Sequence, residues 1–113
     1  MIVKFPNQPP ELDYGNREYK RLLKLCNRNS FESKATQMLY RIYEGNGDAL
    51  YLLGIEDNGE IGNVSKKGIL ETVECLKEIS KIIDANIKSI RIYELKNENR
   101  CVASVRIYKN IRI

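Results

Sequence analysis

Two segments hold most of the residues suited to binding chemistry. Between positions 17 and 34, six cations (Arg17, Lys20, Arg21, Lys24, Arg28 and Lys34) stand against Glu18 and Glu32. Between 100 and 113, Arg100, Arg106, Lys109 and Arg112 stand with no acid. Such cations neutralise phosphates and release counterions, while the interleaved Tyr19, Tyr40, Tyr43, Tyr93 and Tyr108 offer rings for stacking and hydroxyls for hydrogen bonds. If the fold sets the two segments side by side, a patch of about +8 faces one direction, the footprint of an RNA-docking surface. The bland alternative is that these charges only keep the domain in solution, and a formal net charge of +4 fits either reading.

Histidine is absent, so Ser-His-Asp and Cys-His catalysis within this chain are excluded, as are zinc sites with imidazole ligands. The cysteines, Cys26, Cys75 and Cys101, are far apart, without a C-x-x-C pair, and one thiol short of an all-cysteine tetrahedral site. They read as reduced, mostly packed thiols of a cytosolic protein. No apolar run nears the ~18 residues that span a bilayer. The N-terminus, MIVKFPNQPPELDYG, has no long apolar segment or small-residue cleavage site of a secretory signal.

The elements that must position these residues follow from patterning. With 113 residues, 42% apolar and 30% charged, the chain suits one soluble domain. Residues 1–15 carry all three prolines and read as an extended arm, with a single domain from 16 to 113. Glu18–Leu25 reads as a half-buried strand, Tyr19, Leu23 and Leu25 sharing a parity. A helix follows, begun near Phe31 under an Asn29 or Ser30 cap. Its apolar stripe is Phe31, Ala35, Met38, Leu39 and Ile42, with Arg41 on the wet side and Gly45 as a left-handed stop. The stretch GNGDALYLLGIEDNGEIGNV (45–64) predicts a central strand over Ala49–Asp57, covered on both sides. A tight Asp57-Asn58-Gly59-Glu60 turn and a short return strand over Ile61–Val64 follow. Ser65 caps a second helix with a stripe of Ile69, Val73, Leu76, Ile79 and Ile83, widened by Leu70. Two alternating strands, Ile87–Lys96 and Cys101–Tyr108, flank a turn at 97–99. The order arm-β-α-β-β-α-β-β predicts an α+β fold: a mixed sheet of about five strands with two helices on one face. The chain stops on an alternating pattern at Ile113, so we expect it to be a fragment of a longer protein.

The strings PPELDYGNREYKRLLKL, TQMLYRIYEGNGDALYLLGIEDNGEIG and ILETVECLKEI carry a specific likeness. Through Pro9, Pro10, Glu11, Gly15, Asn16, Glu18, Tyr19 and Lys20, then Thr36, Gln37, Met38, Arg41, Glu44 and Gly45, then Ala49, Tyr51, Gly54, Glu56, Asp57 and Gly59, residues 9–84 resemble the N-terminal domain of a family of translational GTPases. These are the GTP-binding-protein relatives of elongation factors Tu and 1-alpha. The resemblance implies a non-catalytic module ahead of a GTPase domain in cis, with GTP and Mg2+ bound there and none here, and RNA or the ribosome as partner. The phosphate-cradling G-x-x-x-x-G-K-[ST] is absent from these 113 residues, so this chain should neither bind GTP tightly nor hydrolyse it.

A more distant likeness, E-[FY]-K on a strand and G-[IV]-[ED]-D-x-G after a later one, is to the AlbA-like domain of Schlafen proteins. It implies a carboxylate-held divalent metal cleaving RNA, with Asp13 and Glu18 as two ligands and Glu56 or Asp57 as the third. The plainer alternatives are that Asp57 serves the turn, that Glu18 pairs with Lys20 on the surface, and that the domain only binds protein.

Overall fold

A computed structural model describes residues 2–24, 28–96 and 98–111, without the side chains of residues 2, 3, 28 and 29. The elements are β1 (Ile2–Val3), β2 (Arg17–Lys20), α1 (Arg28–Glu44), β3 (Asp48–Leu53), α2 (Lys66–Ile82), β4 (Asn86–Leu95) and β5 (Cys101–Tyr108). They form a mixed five-stranded sheet in the order β1-β4-β5-β3-β2. β5 runs antiparallel to β3 and β4; β2 lies parallel to β3 and β1 parallel to β4. This is the expected α+β architecture.

Both helices cover one face of the sheet. Ala35, Met38 and Ile42 from α1 and Ile69, Val73, Leu76 and Ile79 from α2 pack on Ala49, Tyr51 and Leu53 of β3 and on Cys101, Ala103, Val105 and Ile107 of β5. Burying one such aliphatic side chain is worth about 1.5–3 kcal/mol. Ser65 caps α2 as expected, accepting from the Gly68 N–H at 3.2 Å. Leu70 does not widen the α2 stripe; it stands 45% exposed. A second, smaller cluster lies on the opposite face. Tyr19, Leu52, Ile55, Leu95 and Val102 gather there beneath Phe5, whose ring sits 5.5 Å from that of Tyr93.

Several local expectations change. β2 ends at Lys20 rather than running on toward Leu25, and α1 begins at Arg28, ahead of Phe31. The central strand ends at Leu53, and Ile61–Val64 does not return as a strand: Ile55 and Ile61 make one isolated bridge. The fifth strand is β1, from the arm. The α1 stop is not a left-handed Gly45. Asn46 (φ 53) and Gly47 (φ 108) turn the chain, while Gly45 is required because a Cβ there would lie 1.7 Å from the Asp48 carbonyl oxygen.

The arm is fastened along its length. The Gln8 N–H donates to Gly59 O at 2.8 Å and the Glu11 N–H to Asp57 O at 2.7 Å. The Tyr19 hydroxyl donates to Pro9 O at 2.8 Å, and the Tyr19 N–H donates to the Glu11 carboxylate. That last bond caps the outer edge of β2, where a bare strand edge would invite foreign pairing.

Candidate nucleic-acid interface

Strand pairing settles which side chains share the helix-free face. Directly opposed residues point the same way, so Arg17 of β2, Leu50 of β3, Arg106 of β5 and Ser89 of β4 form one row across four strands. The next row holds Tyr19, Leu52, Ser104 and Arg91. The register slip between Ile87 and Ser89 inserts Lys88, whose ammonium lies 5.2 Å from the centre of the Tyr108 ring. Phe5 and the second cluster cover the half of this face around Tyr93, Leu95 and Val102. On the other half Arg17, Lys88, Ser89, Arg91, Arg106 and Tyr108 are exposed. None of these four cations enters an ion pair among the described residues. Asp48, beside Tyr108 in register, is the one acid of this face among the described strand residues.

The cations singled out from sequence therefore divide. Arg17 and Arg106 meet in one row. Lys20 is engaged with Glu18 at 3.2 Å, Arg21 with Glu56 at 3.2 Å, and Arg100 with Glu98 at 2.7 Å, while Lys109 donates to Ile83 O at 2.7 Å. Lys24 is exposed and Lys34 half-buried, both away from the four-strand row. Arg112 and the Arg28 side chain lie outside the described residues, as does Cys26. Sequence reasoning missed Lys88 and Arg91. Their signal was the alternation of β4, which puts Arg91 on the face of Tyr93, together with a bulge that no spacing rule locates.

Glu18 is not half of a surface pair with Lys20. It is 1% exposed, and its carboxylate takes the Arg41 Nε–H at 2.8 Å as well as the Lys20 ammonium. Arg41 is likewise not on the wet side of its helix; it is 4% exposed and also donates to Gly15 O at 2.9 Å and Leu12 O at 2.8 Å. One guanidinium thus joins α1, β2 and the arm. Glu11 closes the group. Its own burial pushes its carboxyl above the ordinary range, the neighbouring Glu18 and Asp57 charges add to this, and the Tyr19 N–H pulls it part of the way back. Tyr51, packed against the same group, has its phenol pushed up by burial first and by the Glu18 charge second.

The four carboxylates weighed as metal ligands are dispersed in role. Glu18 is saturated by cations, Glu56 pairs with Arg21, and Asp13 and Asp57 are exposed, their backbone carbonyls accepting from Tyr40 and Glu11. Among the described residues no three acids or cysteines are grouped closely enough to hold a metal. Cys75 and Cys101 are buried. No helix among the described residues is long and apolar enough to cross a membrane.

A mixed α+β sheet with two helices on one face and a cationic half-face on the other defines the class of domain. The sequence adds a relationship. The chain is 37% identical over 92 residues to GTP-binding protein 2 of Mus musculus and, equally, of Homo sapiens, a stretch covering 80% of this chain and 15% of each of those proteins. It is 33% identical over 102 residues to Uncharacterized protein R625 of Acanthamoeba polyphaga mimivirus, covering 89% of this chain and 55% of that protein. No protein-family model matches the chain, and no solved structure does. It is thus related to part of a GTP-binding protein.

Proposed function

We propose that this chain is a non-catalytic, RNA-docking N-terminal module of a GTP-binding, elongation-factor-like protein acting in translation. In that arrangement GTP and Mg2+ belong to a domain in cis, outside these 113 residues. Similarity to a small part of GTP-binding protein 2 supports the first half of this reading. The absence of G-x-x-x-x-G-K-[ST] from the chain supports the placing of the nucleotide elsewhere. The viral relative supports a separable module. The 102 matched residues are more than half of it, so what remains there is smaller than the matching stretch itself.

The observation that carries the RNA reading is the exposed half-face with Arg17, Lys88, Arg91 and Arg106 outside any ion pair among the described residues and Tyr108 among them. Unpaired guanidinium groups on a rigid sheet contact phosphates without first breaking a salt bridge, and an adjacent ring adds a stacking surface. The half-face suits ribosomal or transfer RNA within reach of a translation factor. Titration of a labelled RNA with the chain and with the double variant Arg91→Gln/Arg106→Gln tests it. We expect the double variant to lose about tenfold or more in affinity at low salt, since each phosphate contact removed forfeits counterion release. Equal affinities would refute the assignment.

A further inference from the structure

We propose that the cavity between the arm and β2 is a binding site for an unstacked nucleobase, so that the RNA docked by the half-face is single-stranded. This rests on the RNA reading above and names its ligand. The cavity has a volume of about 480 Å³ and is lined by Pro9, Pro10, Leu12 and Tyr14 of the arm and by Arg17 and Tyr19 of β2. Its size lies in the range of small-ligand sites. Its lining is mostly apolar, with the Tyr14 ring and two prolines, surfaces on which a base can stack. Two large side chains that line it are left in solvent, Leu12 at 56% and Tyr14 at 65% exposed, although the neighbouring Tyr19 is buried.

Arg17 joins the two surfaces. It lines the cavity and also begins the row that leads through Leu50 to Arg106. A strand whose phosphates follow that row has its sugar-phosphate chain held at the mouth of the cavity. A base from it turns inward against Tyr14 and the prolines. A base paired within a duplex is stacked on both sides and does not enter. The walls do not shift freely, because the Glu11 N–H, Tyr19 hydroxyl and Arg41 guanidinium fasten the arm on either side. A rigid aromatic cleft gains stacking energy at little ordering cost.

Three probes of equal length test this with the 113-residue chain: a twelve-nucleotide unstructured RNA, an abasic oligonucleotide with the same phosphates, and a duplex. We expect the unstructured RNA to bind about tenfold or more tightly than the other two, since stacking of one base is worth a factor of that order. Tyr14→Ala should bring it down to the abasic level without altering abasic binding. Tyr14→Phe should retain the preference. Leu70→Ala, exposed on α2 of the helix-covered face, should change nothing. Equal binding of the unstructured and abasic strands, or indifference to Tyr14→Ala, would overturn the base site and leave the phosphate-docking face standing. Absence of salt-sensitive binding to all three probes would overturn both.

Discussion

At the residue scale, the buried Glu18–Arg41 pair ties α1, β2 and the arm together. Its worth lies less in net attraction than in the penalty of disrupting it. Removing one partner strands a charge away from water, at a cost of about 3–5 kcal/mol. Lys20 softens that for Glu18, so Arg41→Ala should lose about 3 kcal/mol in urea unfolding. A loss below about 1 kcal/mol, the scale of a surface pair, would show that the pair is not structural. Glu11 gives the pH dependence. Its carboxyl titrates above its unfolded value of 4.5, so in the window from 4.5 up to its folded value the native state holds the extra proton. Stability from this group is therefore present at low pH and falls as pH rises through that window. Glu11→Gln keeps an acceptor for the Tyr19 N–H and should abolish the fall. Urea midpoints of the two proteins should diverge in favour of the variant as pH rises from 4.5 to 7; a constant difference would contradict this. Neither property was legible in the sequence. Arg41 falls near the wet flank of its helix by spacing alone, and β2 and the arm together enclose it.

At the element scale, the periodic segments were readable and the irregular ones were not. The α2 stripe, the Ser65 cap and the alternation of β4 and β5 each follow from local rules and appear nearly where those rules put them. The apolar run from Ala49 marked a strand buried on both faces, although it shows nothing about parallel pairing with β2. The arm was opaque for a physical reason. Its position is set by backbone hydrogen bonds to a turn far along the chain, and a polar, proline-rich sequence does not announce those. Gly59 tests this docking. Its φ of +91 disfavours any side chain, and a Cβ there would stand 1.9 Å from Gln8 O. Gly59→Ala should destabilise the domain by about 1–3 kcal/mol and release the arm. Hydrogen exchange would read the release as lost protection at the Gln8 and Glu11 amides. Unchanged protection would contradict this dependence of the arm on Gly59.

At the scale of the whole molecule, the fold redistributes the positive charge that the sequence sets out in two segments. Ten cations stand out along the chain, but among the described residues strand pairing brings only Arg17 and Arg106 of them onto the half-face, where Lys88 and Arg91 of β4 join them. Several others are spent on neighbouring acids or carbonyls, which a count of charges cannot register. The fold thus gives its helix-covered face to packing, half of the reverse face to the arm, and leaves one cationic half-face to solvent. The central claim is that this half-face meets RNA phosphates, and the salt dependence of binding tests it most directly. Four contacts to a single strand predict a slope of log K against log salt of about −2.8, falling to about −1.4 in Arg91→Gln/Arg106→Gln. A slope near zero, or one that the double variant leaves unchanged, would contradict it.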